Sequence, residues 1–364
     1  MRAVSHPEQK KSRSAAVIDE FAFIERIRRR AGQRPSSAEA PSSEATLSKG
    51  IGDDAAVIRQ HDGRDTVITT DMLVEDVDFR REQTEPRLLG HKALAVSLSD
   101  IAAMGARPRW ALMSIGVPQQ IWDSDFVEEL YEGIFELADR FDVKLIGGDL
   151  SLAPEKIVID CAVLGECSTG NAIMRSGAKP GDRLYVTGSL GAAAAGWRLL
   201  ERGARLENKD EADGETRAVN ELLLRNLRPE ARVGWGLVMG REKLATAMID
   251  LSDGLSSDLH HLCKESRVGA VVNAEQLPID PLLIRVCGRR ALDPLMLALH
   301  GGEDFELLCA IPPEKAARLP KKVDGVPISC IGEIKEATDG VQVAEGPHVW
   351  RLDAGGWEHF RREE

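Results

Sequence analysis

No lysine-bearing phosphate loop of the form Gly-x-x-x-x-Gly-Lys-Ser/Thr occurs in the 364 residues, which removes the P-loop enzymes from consideration. The six cysteines (Cys161, Cys167, Cys263, Cys287, Cys309, Cys330) contain no Cys-x-x-Cys pair and mostly fall in apolar runs. They read as reduced core residues of a reducing compartment. No apolar run approaches transmembrane length. Residues 1–18 are basic but lack the apolar centre of a secretory signal, so the expected location is the cytoplasm and no membrane partner is expected. Positive charge is short as well: the formal net charge of −12 argues against a nucleic-acid surface. The eight histidines show no zinc-ligand spacing, and His260 and His261 read as surface residues of a helix.

What the chain does have is carboxylates placed beside small residues and apolar runs. Gly50-Ile51-Gly52-Asp53-Asp54-Ala55-Ala56-Val57-Ile58 sets two adjacent acids against a predicted strand. Like charges repel, and at least one of the pair should face the interior, where an ionised carboxylate is costly without a cation or donors. Taken singly this is equally a solvated turn. The pattern recurs, however, in Val67-Ile68-Thr69-Thr70-Asp71, Ser97-Leu98-Ser99-Asp100, Leu145-Ile146-Gly147-Gly148-Asp149, Met248-Ile249-Asp250-Leu251-Ser252-Asp253-Gly254 and Gly301-Gly302-Glu303-Asp304. Gathered by a fold, these acids would form a hard-oxygen cage suited to Mg²⁺ rather than to zinc or copper. Asp100 sits near the end of a predicted helix, where its charge also opposes the macrodipole. Asp258, one turn into another helix, reads as solvated. Gly50–Ala55 formally matches a dinucleotide fingerprint, but it has no predicted strand before it or helix after it, and its acids would repel pyrophosphate.

Periodicity predicts a helix over Phe21–Arg30, then a mobile segment rich in Ser, Ala, Pro and Gly over 31–48. Strands are expected at Ala55–Arg59, Thr66–Thr70, Trp110–Val117, Val143–Ile146 and Ile157–Leu164, with helices over Pro86–Met104 and Asp123–Phe141. Further strands are expected at Arg183–Thr187, Thr246–Ile249, Ala270–Val272, Glu306–Ile311 and Val326–Ile331. Helices follow Gly188–Gly191 and cover Leu255–Cys263, 281–288 and 292–299, while 205–217 reads as an exposed connection. The Gly188–Gly191 turn at a helix start suits either a phosphate or close packing on a sheet. The alternation points to an α/β or α+β protein in two domains, at 20–168 and 169–364, behind a disordered tail of residues 1–19.

Seven pieces, Gly50–Ala56, Thr69–Phe79, Lys92–Gly105, Gly147–Asp149, Arg175–Gly181, Ile249–Asp258 and Gly301–Leu307, together resemble the thiamine-monophosphate kinase family. That family lies in the superfamily of aminoimidazole ribonucleotide synthetase and selenophosphate synthetase. The resemblance implies the two-domain aminoimidazole ribonucleotide synthetase-like fold, with ATP in the cleft between the domains. It also implies a homodimer paired through the amino-terminal domains, and transfer of a phosphoryl group from ATP to thiamine monophosphate. Carried over by position, the ligands for several Mg²⁺ ions would be Asp54, Thr69, Thr70, Asp71, Asp100, Asp149, Asp250 and Asp253. Of these, Asp54, Asp71, Asp100, Asp149 and Asp253 would be catalytic. Gly148, Asp149, Arg175 and Ser252 would lie on the nucleotide. Asp78, Glu303 and Trp357 would contact the thiamine phosphate, although family members can carry His and Tyr where this chain has Asp78 and Trp357. Selenophosphate synthetases need a reactive Cys or selenocysteine near the amino terminus, and the first cysteine here is Cys161; hydrogenase-maturation members carry a carboxy-terminal Cys where this sequence ends Arg-Arg-Glu-Glu. Another small-molecule kinase or synthetase of the superfamily is the alternative reading, and a non-catalytic divalent-metal module is the alternative from a different class.

Overall fold

The computed structural model describes residues 20–32, 45–60, 62–207, 213–290 and 292–358. Helix α1 (Glu20–Gly32) belongs to a compact unit distinct from the body at Glu39–Trp357; it exposes Phe23, Ile24 and Ile27, and Arg29 donates to Glu25 one turn back. The predicted tail, 1–19, and most of the predicted mobile segment fall outside the described residues.

The body contains two sheets. The first comprises β1 (Thr46–Lys49), β2 (Ala56–Arg59), β3 (Arg64–Val74), β4 (Arg107–Val117), β5 (Lys144–Leu152) and β6 (Val158–Ser168), in the spatial order β1-β2-β3-β6-β4-β5. All its pairings are antiparallel except β4 with β5. Alternation along β6 sends Ile159, Cys161 and Val163 inward, as expected of a sheet covered on one face. The cover is α2 (Pro86–Ala103), in which 14 of 18 residues are buried, including Lys92. A helix that buries residues all round its circumference must be enclosed on every side. Accordingly α2 packs on β3 and β6, and on α4 (Phe126–Phe141), which follows the short α3 (Gln119–Trp122).

The second sheet comprises β7 (Arg183–Thr187), β8 (Ala247–Asp250), β9 (Gly269–Asn273), β10 (Leu307–Ile311), β11 (Lys322–Val323), β12 (Val326–Lys335), β13 (Val341–Glu345) and β14 (His348–Arg351). Its order is β14-β13-β9-β12-β7-β10-β8 with β11 on β12, and only β9 and β13 run parallel. Around it lie α5 (Ala192–Glu201), α6 (Gly214–Leu227), α7 (Val233–Glu242), α8 (Leu255–Ser266), α9 (Pro281–Arg290), α10 (Pro294–His300) and α11 (Pro313–Ala316). One apolar core joins α2 to this sheet, with Leu98 and Ile101 in the same cluster as Trp235, Met239, Met248, Leu307 and Cys309. That shared core seats the carboxy-terminal half of α2 against β8.

Several expectations change. Lys49 and its predecessors form β1, so the composition-based mobile segment ends earlier than 48; antiparallel pairing with β2 supplies the order that the local sequence does not. The Gly50 turn therefore does have a strand before it, although a strand rather than a helix follows. Strand β5 runs on to Leu152 through Gly147-Gly148, well past Ile146. Helix α6 starts at Gly214, inside the predicted connection, with the Asp213 carboxylate accepting from Glu215 and Thr216 N–H groups. Helix α7, β13 and β14 were not anticipated. Glycines in α7 hide its helical character but serve its packing: a Cβ on Gly236 would come within 2.2 Å of the Ala102 carbonyl oxygen on α2. His260 and His261 are half-buried, and burial, with Arg175 adding to it, lowers His261 to about 4.

Candidate active site

The seating of α2 against β8 brings carboxylates from three elements to one point. Ligand atoms of Asp54, after the Gly50 turn, Asp100, near the end of α2, and Asp250, the last residue of β8, all lie within 4.8 Å of one another. Thr69 and Asp71 alternate onto the same face of β3: the Thr69 hydroxyl donates to Asp100 and contacts the Asp54 carbonyl, and Asp71 interacts with Asp100 and Ser97. Ser99 donates to Asp250 at 2.6 Å. Thr70 faces the other way, donating to Asp160 at 2.8 Å, so its hydroxyl does not join the cluster. Asp149 and Gly148 lie on the exposed strand β5, outside the three-carboxylate group.

The electrostatics are unfavourable for the apo protein. Burial raises Asp54 from 3.8 to about 7, with Arg175 pulling it back and Asp250 pushing it further. Burial also raises Asp71 and Asp250 to about 6, and lifts Asp100 well above the usual range, where Asp71, Asp250 and Asp54 add to the effect. The compensating cations are few. Arg175 places Nε 3.0 Å and one terminal nitrogen 2.5 Å from Asp54 Oδ1, and Lys49 pairs with Asp53 at 2.7 Å. Asp54 Oδ2 and Asp71 Oδ2 are buried and lack a hydrogen-bond partner. Orphaned carboxylate oxygens, a hydroxyl and no sulfur or imidazole make a donor set that fits hard divalent cations.

Beside this cluster, two loops run together. Glu303 N–H donates to the Ser252 carbonyl, and Phe305 N–H to that of Leu251, which places Glu303 next to the Asp250–Gly254 turn. Glu303 (φ 65°) and Phe305 (φ 48°) sit in the left-handed region, a costly conformation for residues other than glycine. The end of the body crosses the same turn, with Trp357 N–H bonded to the Asp253 carbonyl at 3.0 Å. Gly356 permits that contact, since a Cβ there would lie 2.4 Å from the Asp253 carbonyl oxygen. Trp357 is 51% exposed, so about half of its surface stands open beside this turn. Asp78 lies across from this loop, its Oδ2 accepting from Val74 N–H.

Two sequence readings fail here. Asp258 is buried rather than solvated: its Oδ2 accepts from Gly254 N–H, bracing the turn after β8, and burial raises its pKa well above normal. Asp304 does not face a ligand either. Its carboxylate accepts from Gly191 and Ala193 N–H groups, so the helix start that suited a phosphate is already filled. Sequence reasoning also passed over Ser99, Lys92 and Asn226. Lys92, a cation inside the apolar stretch of α2, was the one with a signal.

The sequence and fold match known proteins over most of their length. Residues 52–167 match the AIR synthase related protein N-terminal domain and 179–344 its C-terminal domain. The thiamine-monophosphate kinase of Salmonella typhimurium is 37% identical over 322 residues, covering 88% of this chain and 94% of the relative. The chain belongs to the thiamine-monophosphate kinase family. The Bacillus subtilis member of that family is 36% identical over 323 residues, with 87% and 95% covered. A solved structure described as AaThiL complexed with AMPPCP and TMP shares the fold at a TM-score of 0.78 and 32% identity, covering 94% of this chain and 97% of its own. The thiamine-monophosphate kinase of Stenotrophomonas maltophilia K279a gives 0.70 and 36%, with 92% and 97% covered. The fold is thus the two-domain α/β arrangement expected from the sequence. Among the described residues no helix is long and apolar enough to cross a membrane.

Proposed function

We propose that this chain phosphorylates thiamine monophosphate with ATP, giving thiamine diphosphate and ADP. The observation that carries the reading is the convergence of Asp54, Asp100 and Asp250, from three separate elements, in a member of this family. Asp71 and Thr69 extend the donor set, and Asp149 and Asp253 are assigned to it by family position; Thr70 contributes no hydroxyl. Bound there, Mg²⁺ would supply the positive charge that lets two phosphate-bearing substrates approach and that polarises the γ-phosphate.

The chain's own residues have narrower tasks. The acceptor phosphate is already ionised at neutral pH, so no side chain need act as general base. An acceptor oxygen attacks the γ-phosphorus in line as the bond to the ADP oxygen breaks, without a phospho-enzyme. Gly148, Asp149, Arg175 and Ser252 are assigned to the nucleotide. Arg175 pairs with Asp54 in the apo protein and would be freed to serve ATP phosphates once cations take over that neutralisation. Trp357 offers an indole face to the thiazolium and pyrimidine rings, with Asp78 and Glu303 as polar partners.

The acting species is proposed to be a homodimer. Strand β5 ends the first sheet and leaves Ile146, Leu150 and Leu152 exposed at 57%, 49% and 69%, an edge that pairing with a second copy would cover. The functional test is Mg²⁺-dependent ADP formation that requires thiamine monophosphate.

A further inference from the structure

Lys92 is only 1% exposed, and a lysine so deeply placed persists as a cation only with partners. Its Nζ lies 2.6 Å from Glu303 Oε1 and 3.2 Å from the Asp78 carbonyl oxygen. The other Glu303 oxygen, Oε2, accepts from Asn226 Nδ2 at 2.5 Å, and Asn226 is itself buried on α6. Each carboxylate oxygen of Glu303 is thus held by one donor, from α2 and from α6. Each keeps lone-pair capacity for another. The Glu303 side chain is also 30% exposed, so a ligand can reach it.

We propose that Lys92 and Asn226 are positioning residues for the acceptor. They fix the Glu303 carboxylate in one orientation, and Lys92 ties it to the loop bearing Asp78. The inference rests on the reading of Glu303 and Asp78 as acceptor contacts. Two contacts from separate loops, one next to the second sheet and one after β3, then act as a single preorganised receptor. The ion pair has a chemical consequence. Lys92 neutralises the Glu303 charge without occupying all of its acceptor sites, so the pair recognises a hydrogen-bond donor, such as the amino group on the pyrimidine, more than the thiazolium's bare positive charge.

The test is steady-state kinetics with each substrate varied, alongside thermal melting, for Lys92→Met, Asn226→Ala, Glu303→Gln and the Lys92→Met/Glu303→Gln double variant. Lys92→Met is expected to raise KM for thiamine monophosphate roughly tenfold, and Asn226→Ala roughly fivefold, with kcat and KM for ATP within about twofold. The double variant should be no worse than Glu303→Gln alone, because both changes remove one interaction. Lowered melting temperature with unchanged acceptor KM in both single variants overturns the proposal, as does additivity in the double variant. If Lys92→Met fails to fold, Asn226→Ala decides alone: an unmoved acceptor KM refutes it. Wild-type protein that makes no thiamine diphosphate defeats the functional reading and this inference with it. Wild-type turnover with unmoved acceptor KM in the variants defeats this inference only.

Discussion

Asp54→Asn should stabilise the metal-free protein while disabling it. The Asp54 carboxyl is raised from 3.8 to about 7, mainly by burial. That displacement of about three pH units corresponds to roughly 4 kcal/mol at 1.36 kcal/mol per unit, the cost of keeping the group ionised in the folded apo protein. Arg175's favourable pull is already contained in that figure. Between pH 4 and 7 the folded chain holds a proton that the unfolded chain has released, so this site's contribution to stability falls as pH rises through that window. An asparagine never carries the charge. Without Mg²⁺ at pH 8, the variant should gain up to roughly 4 kcal/mol over wild type, less any penalty for turning an amide NH₂ toward the Arg175 donors. With an unfolding entropy of about 2.1 cal/mol/K per residue, a net gain of roughly 1–4 kcal/mol moves Tm by about 1–5 °C. At pH 5, where wild-type Asp54 is protonated, the difference should vanish. With excess Mg²⁺ at pH 8 the order should invert, because only wild type retains the full ligand set. Turnover should fall at least about a hundredfold. Calorimetry with and without EDTA at both pH values, paired with an ADP assay, measures all of this. A variant less stable than wild type at pH 8 without metal, or equal Mg²⁺ stabilisation of both proteins, would refute the electrostatic account.

Trp357→Ala should raise KM for thiamine monophosphate by roughly five- to thirtyfold, the equivalent of about 1–2 kcal/mol of cation–π and stacking energy, and leave KM for ATP nearly unchanged. Trp357→Tyr should keep most activity; a lower Tm with unmoved acceptor KM in the alanine variant would make the residue a tail anchor instead. Asp304→Ala strips two buried N–H groups of their acceptor and should lower Tm by roughly 3–6 °C with KM for ATP within about threefold. Loss of ATP affinity at unchanged Tm would return the α5 start to the phosphate reading. Sedimentation at micromolar concentration should show a dimer, and placing a lysine at Leu150 should shift it toward monomer; a wild-type monomer would contradict the β5 pairing.

The acids were legible in the sequence because each stands where charge is locally unfavourable: Asp100 inside an apolar helix near its end, Asp250 at the end of a wholly buried strand. Their convergence was not legible, since it depends on α2 packing against both sheets. Strand alternation separates Thr70 from Thr69 and Asp71, and a run of three polar residues does not reveal which faces inward until the sheet is in place. Asp258 and Asp304 were misread for one reason: a short carboxylate that satisfies backbone N–H groups across a turn looks, in sequence, like a solvated or ligand-facing acid. Helix α7 was missed because glycines that allow its close approach to α2 lower its apparent helical propensity. Lys92 and Asn226 matter through a partner 211 and 77 positions away, a pairing that no local pattern encodes.

Phosphorus NMR of the purified protein with ATP, Mg²⁺ and thiamine monophosphate tests the central claim most directly. The thiamine monophosphate resonance should be replaced by the two coupled resonances of a diphosphate ester, in step with conversion of ATP to ADP, and EDTA should stop both. ATP that stays intact, or that releases inorganic phosphate while thiamine monophosphate is unchanged, would contradict it.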